Sequence, residues 1–355
     1  MAMGSRILVF GASYGSLLAV KLALAGHSVK LVCRARTADL VNAQGVIVRM
    51  PVKGREAPLE IRSRELPGTV SAATPGEVDP GGYDLVALAM QEPQYGAPGV
   101  RELLEATARS RVPCLSIMNM PPMPYLARIP GIDPGPCADS YVHPSAWEAF
   151  DPGLVSLCSP DAQAFRPPEE KANVLQVRLA SNFKAARFAS DAHTALLRGL
   201  GESVEAARFE LDGEPIELPV KLKVHDSLFV PLAKWAMLLA GNYRCLLDHG
   251  VRSIEEAVQA DLEASRSVYE WVTGLCMALG ADPGDMVPFE KYAAAARSLK
   301  SPSSVARALA AGAPHIERVD RLVQALGAQK GLRNASVDET VARVDDWLVR
   351  NRLKG

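Results

Sequence analysis

The sequence has no excess of charge of either sign: 39 basic and 40 acidic side chains leave a formal net charge of −1 over 355 residues. A protein that holds nucleic acid by its phosphates is basic overall or carries a basic stripe. A nucleic-acid partner is therefore excluded, and with no run of five like charges so is a charged tail. Paired cysteine motifs are also missing. Cys33, Cys114, Cys137, Cys158, Cys245 and Cys276 are scattered without any C-x-x-C, which excludes a zinc ribbon or a thioredoxin-like site and reads as reduced thiols of a cytoplasmic protein. Long apolar runs are absent as well. The first is broken by Gly11, Ser13, Gly15 and Lys21, unlike a secretory h-region. The longest, 227–247, contains Pro231, Lys234, Asn242 and Arg244, so it reads as a buried helix and the chain has no membrane partner. No H-E-x-x-H, G-x-S-x-G or metal-ligand spacing occurs. What remains is an ordinary globular composition, 48% hydrophobic and 22% charged, at a length that suits two domains.

The informative part is the first 35 residues. Ile7-Leu8-Val9-Phe10 has the length and composition of a buried strand. Gly11-Ala12-Ser13-Tyr14-Gly15-Ser16 follows, then a helical stretch to Gly26 and a second strand, Val29–Cys33. A glycine-rich turn between a strand and a helix inside a βαβ unit of this length predicts a dinucleotide site. Gly11 permits the tight turn, and the helix N-terminus faces the pyrophosphate. Ser13 and Ser16 stand at the second and third glycine positions of G-x-G-x-x-G. Ser13 can donate its hydroxyl to a phosphate, and Ser16 is small enough for helix–strand packing. An acid at the end of the second strand would hold a ribose 2′-hydroxyl. Here the chain reads Cys33-Arg34-Ala35-Arg36, and two arginines suit a 2′-phosphate. NADP(H) is favoured, with NAD(H) open.

Further apolar runs at 83–90 and 112–119, with a helix at 101–110 between them, extend a doubly wound sheet. Met90, Gln91, Glu92 and Asn119 then fall at its carboxyl edge, beside the cofactor. From residue 219 the pattern turns helical: 227–247, 253–279, 288–299, 303–311, 315–326 and 336–350. Capping boxes are read at Ser253–Glu256 and Ser336–Glu339. The expected architecture is α/β: a Rossmann-type dinucleotide-binding domain over 1–218 and an all-helical substrate and dimerisation domain over 219–355. A small-molecule substrate is expected in the cleft between them, with a homodimer possible.

The run Ile7–Arg34, the block Lys234-Trp235-Ala236-Met237-Leu238, and the segment from Ser303-Ser304 to Gly312-Ala313-Pro314 resemble ketopantoate reductases. The resemblance implies reduction of a small oxo acid by a nicotinamide cofactor. It also implies a lysine on the first long helix, asparagines one and two turns later, and a serine and a glutamate near the end of the helical domain. Asn119 matches the family's cofactor-ribose asparagine. Aligned on Trp235, however, the lysine position is Met237, the asparagine positions are Gly241 and Cys245, and the glutamate position is Ile316; Gln91 replaces a further lysine. Lys234, one turn before Met237, together with Glu317, His225 and Asp226, are then the catalytic candidates, and Asn242 and Ser304 the substrate-binding ones. Asp226 equally fits the N-cap of the helix it precedes, and Lys234 can instead reach solvent. Gly11–Ser16, Met90–Gln94 and Asp226–Phe229 also resemble ketol-acid reductoisomerases, which implies redox-neutral chemistry with a transiently used cofactor. Aligned on Leu228-Phe229, that family's magnesium positions read Ser227 and Pro231, so no metal is expected. A non-catalytic dinucleotide sensor is the third reading.

Overall fold

The computed structural model describes residues 4–354. The chain forms two compact units. The first comprises residues up to Met90, 94–125 and 146–226; the second comprises 91–93, 126–145 and 227 onward.

The first unit is built on an eight-stranded sheet. Its opening is the βαβ unit read from the sequence: β1 (Arg6–Phe10), α1 (Tyr14–Leu24) and β2 (Ser28–Val32). The strands are short apolar runs buried on both faces, as a parallel sheet covered by helices demands. Then come α2 (Ala35–Gln44), β3 (Ile47–Met50), β4 (Leu59–Arg62), β5 (Thr69–Ala73), β6 (Leu85–Leu88), α3 (Val100–Ser110), β7 (Cys114–Ile117) and the short α4 (Met123–Leu126). The unit ends with β8 (Val155–Ser159), β9 (Gln163–Phe165), β10 (Val174–Leu179), β11 (Phe183–Ala186), α5 (Asp191–Ala206), a small hairpin of β12 (Phe209–Leu211) and β13 (Glu214–Ile216), and β14 (Leu222–His225).

The main sheet runs β14-β11-β8-β7-β6-β1-β2-β5, and only the β11–β8 pairing in it is antiparallel. Six neighbouring parallel strands, β5-β2-β1-β6-β7-β8, have the doubly wound order, with the reversal between β1 and β6. A second sheet, β4-β3-β10-β9, has no counterpart in the sequence reading. Its strands come from two stretches far apart in the chain, and β9 has only three residues, too few for a periodic signal.

Lys21 lies inside α1 with 2% of its surface exposed, and its Nζ donates to the Leu218 carbonyl at 3.1 Å. Burial pulls its pKa from 10.5 down to about 8, with Glu217 opposing and Lys221 and Arg208 adding to the shift. Between those two values the unfolded chain binds more protons than the folded one. Stability therefore rises with pH across that window and is flat for this group below it. Lys21→Met is expected to remove a rise of roughly 3 kcal/mol, read by urea unfolding of both proteins near neutral pH and at about pH 10. Identical pH dependence of the two would show that the amine is not desolvated.

Relative to a division after residue 218, β14 keeps the chain in the first unit until Asp226. The second unit is helical. It contains α6 (Lys234–Met237), α7 (Ile254–Gln259), α8 (Leu262–Ala278), α9 (Phe289–Ala296), α10 (Ser304–Ala310), α11 (Val319–Gln329) and α12 (Ala335–Arg352). Several expected boundaries change. The helix expected over 227–247 is a succession of single turns: 3-10 at Val230–Ala233, α6, a π turn at Leu238–Asn242, and 3-10 at Tyr243–Cys245. Pro231 accounts for the 3-10 start. The π turn has a tertiary cause. The Tyr292 hydroxyl donates to the Met237 carbonyl at 3.1 Å, and a β-carbon on Gly241 would come within 2.0 Å of that hydroxyl. The intruding phenol takes an acceptor from the helical ladder, and the missing side chain gives it room.

The helix expected over 253–279 is broken between α7 and α8, where the Asp261 carboxylate accepts from Ala264 N–H and caps the second piece. The Ser253–Glu256 capping box is present. At the last helix Asn334 is the cap and Ser336 lies inside, so the second capping box is not formed. Residues 315–318 precede α11 rather than opening it. Among the described residues no helix is long and apolar enough to cross a membrane.

Candidate functional site

In the first unit the carboxyl ends of β1 and β6 converge. Gly11 has φ +94°, and a β-carbon there would lie 2.7 Å from Met90 Cγ and 2.9 Å from the Ala89 carbonyl oxygen. Only glycine fits both the angle and the approach. Its N–H donates to the Val32 carbonyl at 2.9 Å, which ties the turn to the end of β2. The close packing of α1 on β1 falls on Gly15, not Ser16: a β-carbon on Gly15 would be 2.6 Å from Val9 Cγ1. Ser16 is buried and donates its hydroxyl to the Ala12 carbonyl at 2.6 Å, so it is not available to a ligand. Ser13 is exposed and precedes α1 without a side-chain capping bond; Ser16 N–H donates to the Ser13 carbonyl at 3.0 Å, which leaves the N–H groups of Tyr14 and Gly15 for an incoming anion. Tyr14 packs edge-on against Phe183, and its hydroxyl donates to the Ala162 carbonyl at 3.2 Å.

Arg34 is the exposed N-cap residue of α2, and Arg36 is exposed in its first turn. Neither makes an ion pair among the described residues. The structure adds a residue that sequence reasoning missed. Arg166, just after β9, donates to the Ala12 carbonyl at 2.5 Å. Its own pKa is lowered, first by burial and also by Arg34, with Cys33 opposing. A second guanidinium thus stands over the glycine turn next to the first. No motif announces it: it lies 154 positions from Ala12 and comes from a strand the sequence did not suggest. At the other strand ends, Met90 N–H donates to the Tyr95 hydroxyl at 3.2 Å, and Asn119 is half-buried just past β7. These groups fit a dinucleotide: a permissive turn, free helix N–H groups, an open hydroxyl and three arginines.

His225 ends β14, paired with Ala186. Asp226 is exposed and ion-paired to Arg198 at 2.6 Å, so it caps no helix.

In the second unit, Lys234 opens α6, half-buried, and Met237 closes it. The π turn that follows adds a residue to the turn. It brings Asn242 round toward the face that residue 241 would occupy in an unbroken α-helix. Glu317 is buried at 6% exposure, and its Oε1 accepts from Glu92 N–H at 3.4 Å. The adjoining Gln91 is exposed. The Glu317 backbone carbonyl accepts the Tyr243 hydroxyl at 2.6 Å, and that hydroxyl accepts from Val319 N–H at 3.1 Å. This bracing is why residues 315–318 leave the helix. Glu92, fully buried, accepts from the N–H groups of Val142 and His143 at 3.1 and 3.2 Å. Burial pushes its carboxyl above the ordinary range, against those two donors. Glu92, which the sequence places at the sheet's carboxyl edge facing the cofactor, instead holds residues 142 and 143, a role visible only once 126–145 is seen to pack within this unit. Ser304 is exposed in the first turn of α10. Its neighbour Ser303 is buried, donates to the Asn242 carbonyl at 2.7 Å and caps the helix at Ala306.

A doubly wound α/β unit with a glycine turn at its reversal point, joined to a helical unit, defines the class of dinucleotide-binding α/β folds with a helical second half. Within that class the chain has the fold of ketopantoate reductases. It superposes on 2-dehydropantoate 2-reductase from Methylococcus capsulatus with TM-score 0.66 and 15% identity, covering 98% of this chain and 97% of that one. A dimeric ketopantoate reductase from Staphylococcus aureus matches with TM-score 0.61 and 11% identity over 98% and 99%. D-mandelate dehydrogenase, solved with NADH and anilino(oxo)acetate, matches with TM-score 0.64 and 14% identity over 98% and 99%. At these identities the likeness is one of fold. No protein-family model and no curated protein matches the sequence.

Proposed function

We propose that the protein is a nicotinamide-dependent oxidoreductase that interconverts a small oxo acid and its hydroxy acid. The observation that carries this reading is the turn Gly11–Ser16 at the β1/β6 reversal, with uncapped helix N–H groups and arginines 34, 36 and 166 around it. When bound, the nicotinamide supplies or accepts the hydride. The chain's part is to bind, orient and handle the proton. Gly11 and the first turn of α1 receive the pyrophosphate, and Ser13 donates to it. Arg34 and Arg36 receive a 2′-phosphate, with Arg166 adding to the positive field. NADP(H) is the preferred cofactor on this ground. Lys234 delivers a proton to the alkoxide left by hydride transfer, Asn242 and Ser304 bind substrate, and Glu317, anchored through Glu92, stands as the second ionisable group. The likeness in fold to 2-dehydropantoate 2-reductase, together with the scattered free cysteines, supports a cytoplasmic location. The likeness to the dimeric reductase of Staphylococcus aureus supports a homodimer, which light scattering would test.

The reaction is tested by following absorbance at 340 nm with NADPH and a panel of 2-oxo acids. Oxidation of NADPH with at least one of them is expected, and none with any would overturn the reductase reading. The cofactor preference is tested by Arg34→Ala. Losing one charge-assisted contact to a phosphate should weaken NADP(H) roughly ten- to hundred-fold and leave NAD(H) nearly unchanged. Equal weakening of both by calorimetry would remove the reason for preferring NADP(H).

A further inference from the structure

Arg166 reaches the glycine turn from the second sheet, directly after β9, which pairs antiparallel with β10. The segment that carries it is tied to the turn on both sides of β9. Before the strand, the Ala162 carbonyl accepts from the Tyr14 hydroxyl at 3.2 Å. After it, a terminal N–H of Arg166 donates to the Ala12 carbonyl at 2.5 Å. Pro167 and Pro168 follow. A residue before proline is held extended and each proline fixes its own φ, so the backbone at Arg166 has little freedom. The side chain is half-buried.

The place so fixed is the corner between the ends of β1 and β2. Phe10 pairs with Val32 in the parallel register, and the Gly11 N–H donates to the Val32 carbonyl at 2.9 Å. Ala12 and Arg34 each stand two residues beyond that pair, on neighbouring strands about 4.8 Å apart. In a doubly wound fold the end of the second strand faces the 2′ position of the adenosine ribose, while the pyrophosphate lies over the first helix. A guanidinium on the Ala12 carbonyl, next to the end of β2, is on the ribose side.

No carboxylate answers this charge. Arg166 makes no ion pair among the described residues, and Arg34 makes none either. Burial lowers the pKa of Arg166, Arg34 lowers it further, and only the Cys33 thiol opposes them. Two like charges side by side favour an anion between them. The Ala12 carbonyl occupies one donor of the Arg166 fork and leaves the others. Arg34 and Arg36 are exposed, so a phosphate contact from either must first order a long side chain. Arg166 is already in place.

We propose that Arg166 binds the adenosine 2′-phosphate directly and is the residue that sets the preference for NADP(H) over NAD(H). The inference rests on the dinucleotide reading of Gly11–Ser16 and is independent of the substrate.

The test is calorimetric titration of the full-length protein, Arg166→Ala, Arg166→Lys and Arg36→Ala with NADPH and, separately, with NADH. Arg166→Ala should weaken NADPH about tenfold or more and by more than Arg36→Ala does, while changing NADH by about threefold at most. Arg166→Lys, which keeps the charge without the fork, should recover part of the loss. A residue that only staples β9 to the turn would move both dinucleotides together, so equal weakening of both overturns the proposal. So does unchanged NADPH affinity in Arg166→Ala, or a greater loss in Arg36→Ala. Binding of neither dinucleotide by the unmutated protein overturns the dinucleotide reading itself, a result distinct from a failure confined to Arg166.

Discussion

Gly11→Asp is expected to abolish dinucleotide binding, a loss of at least a hundredfold in affinity. Two effects add. A side chain at φ +94° is strained, and its β-carbon would press on Met90 and the Ala89 carbonyl, separating the ends of β1 and β6 where the ligand enters. The carboxylate also repels a pyrophosphate at the helix N-terminus. Because the same strain can destabilise the first unit, Ser13→Glu provides the independent arm. Ser13 is exposed and makes no capping bond, so its replacement leaves the fold intact while placing a negative charge at the same turn. At least tenfold weakening of NADP(H) is expected by calorimetry, with an unchanged circular dichroism spectrum. Full affinity in a folded Ser13→Glu protein would place the dinucleotide elsewhere.

Lys234→Ala is expected to lower kcat by about 10²-fold or more, the scale of lost general-acid catalysis, with dinucleotide affinity preserved. Hydride transfer to a carbonyl leaves an alkoxide that needs a proton, and Met237, at the position to which the sequence resemblance assigns a lysine, has none to give. Lys234 and Met237 are the two ends of the single α-helical turn α6. Their Cα atoms are about 5 Å apart along the axis, a distance that a four-carbon stem covers. The competing donors are less favoured by their surroundings. Asp226 is exposed and engaged with Arg198, and His225 is held in β14. Single-turnover kinetics of Lys234→Ala and His225→Ala decide between them. A fully active Lys234→Ala beside an inactive His225→Ala would move the proton to the strand end and overturn the assignment to α6.

The fold neighbours and the candidate residues bear differently on each other. The superposition spans nearly the whole chain, yet identity stays between 10% and 17%. Sheets and helix layers depend on burial pattern, which tolerates many sequences. Reacting groups depend on single side chains at single positions. Here the π turn matters. By adding one residue after Met237 it brings Asn242 toward the place that a residue-by-residue alignment gives to Gly241. A substitution in the alignment is thus partly a shift of phase in space.

The opening βαβ unit was legible because every signal for it is local: a buried-strand run, a glycine that must take a positive φ, a helix, and a second run, all within 35 residues. The parallel sheet, the exposed arginines at the end of β2 and the helical second half followed from the same kind of pattern. Tertiary contact decided the rest. Arg166 reaches the glycine turn from 154 positions away, and Tyr292 breaks a helix by taking the Met237 carbonyl in the space Gly241 leaves. Glu92 holds residues 142 and 143 by their N–H groups, inside a unit to which most of its sequence neighbours do not belong. A periodic pattern reports which face of an element is buried. It carries no information about which distant side chain will supply the hydrogen bond that ends the element, because that partner is chosen only when the chain has closed on itself.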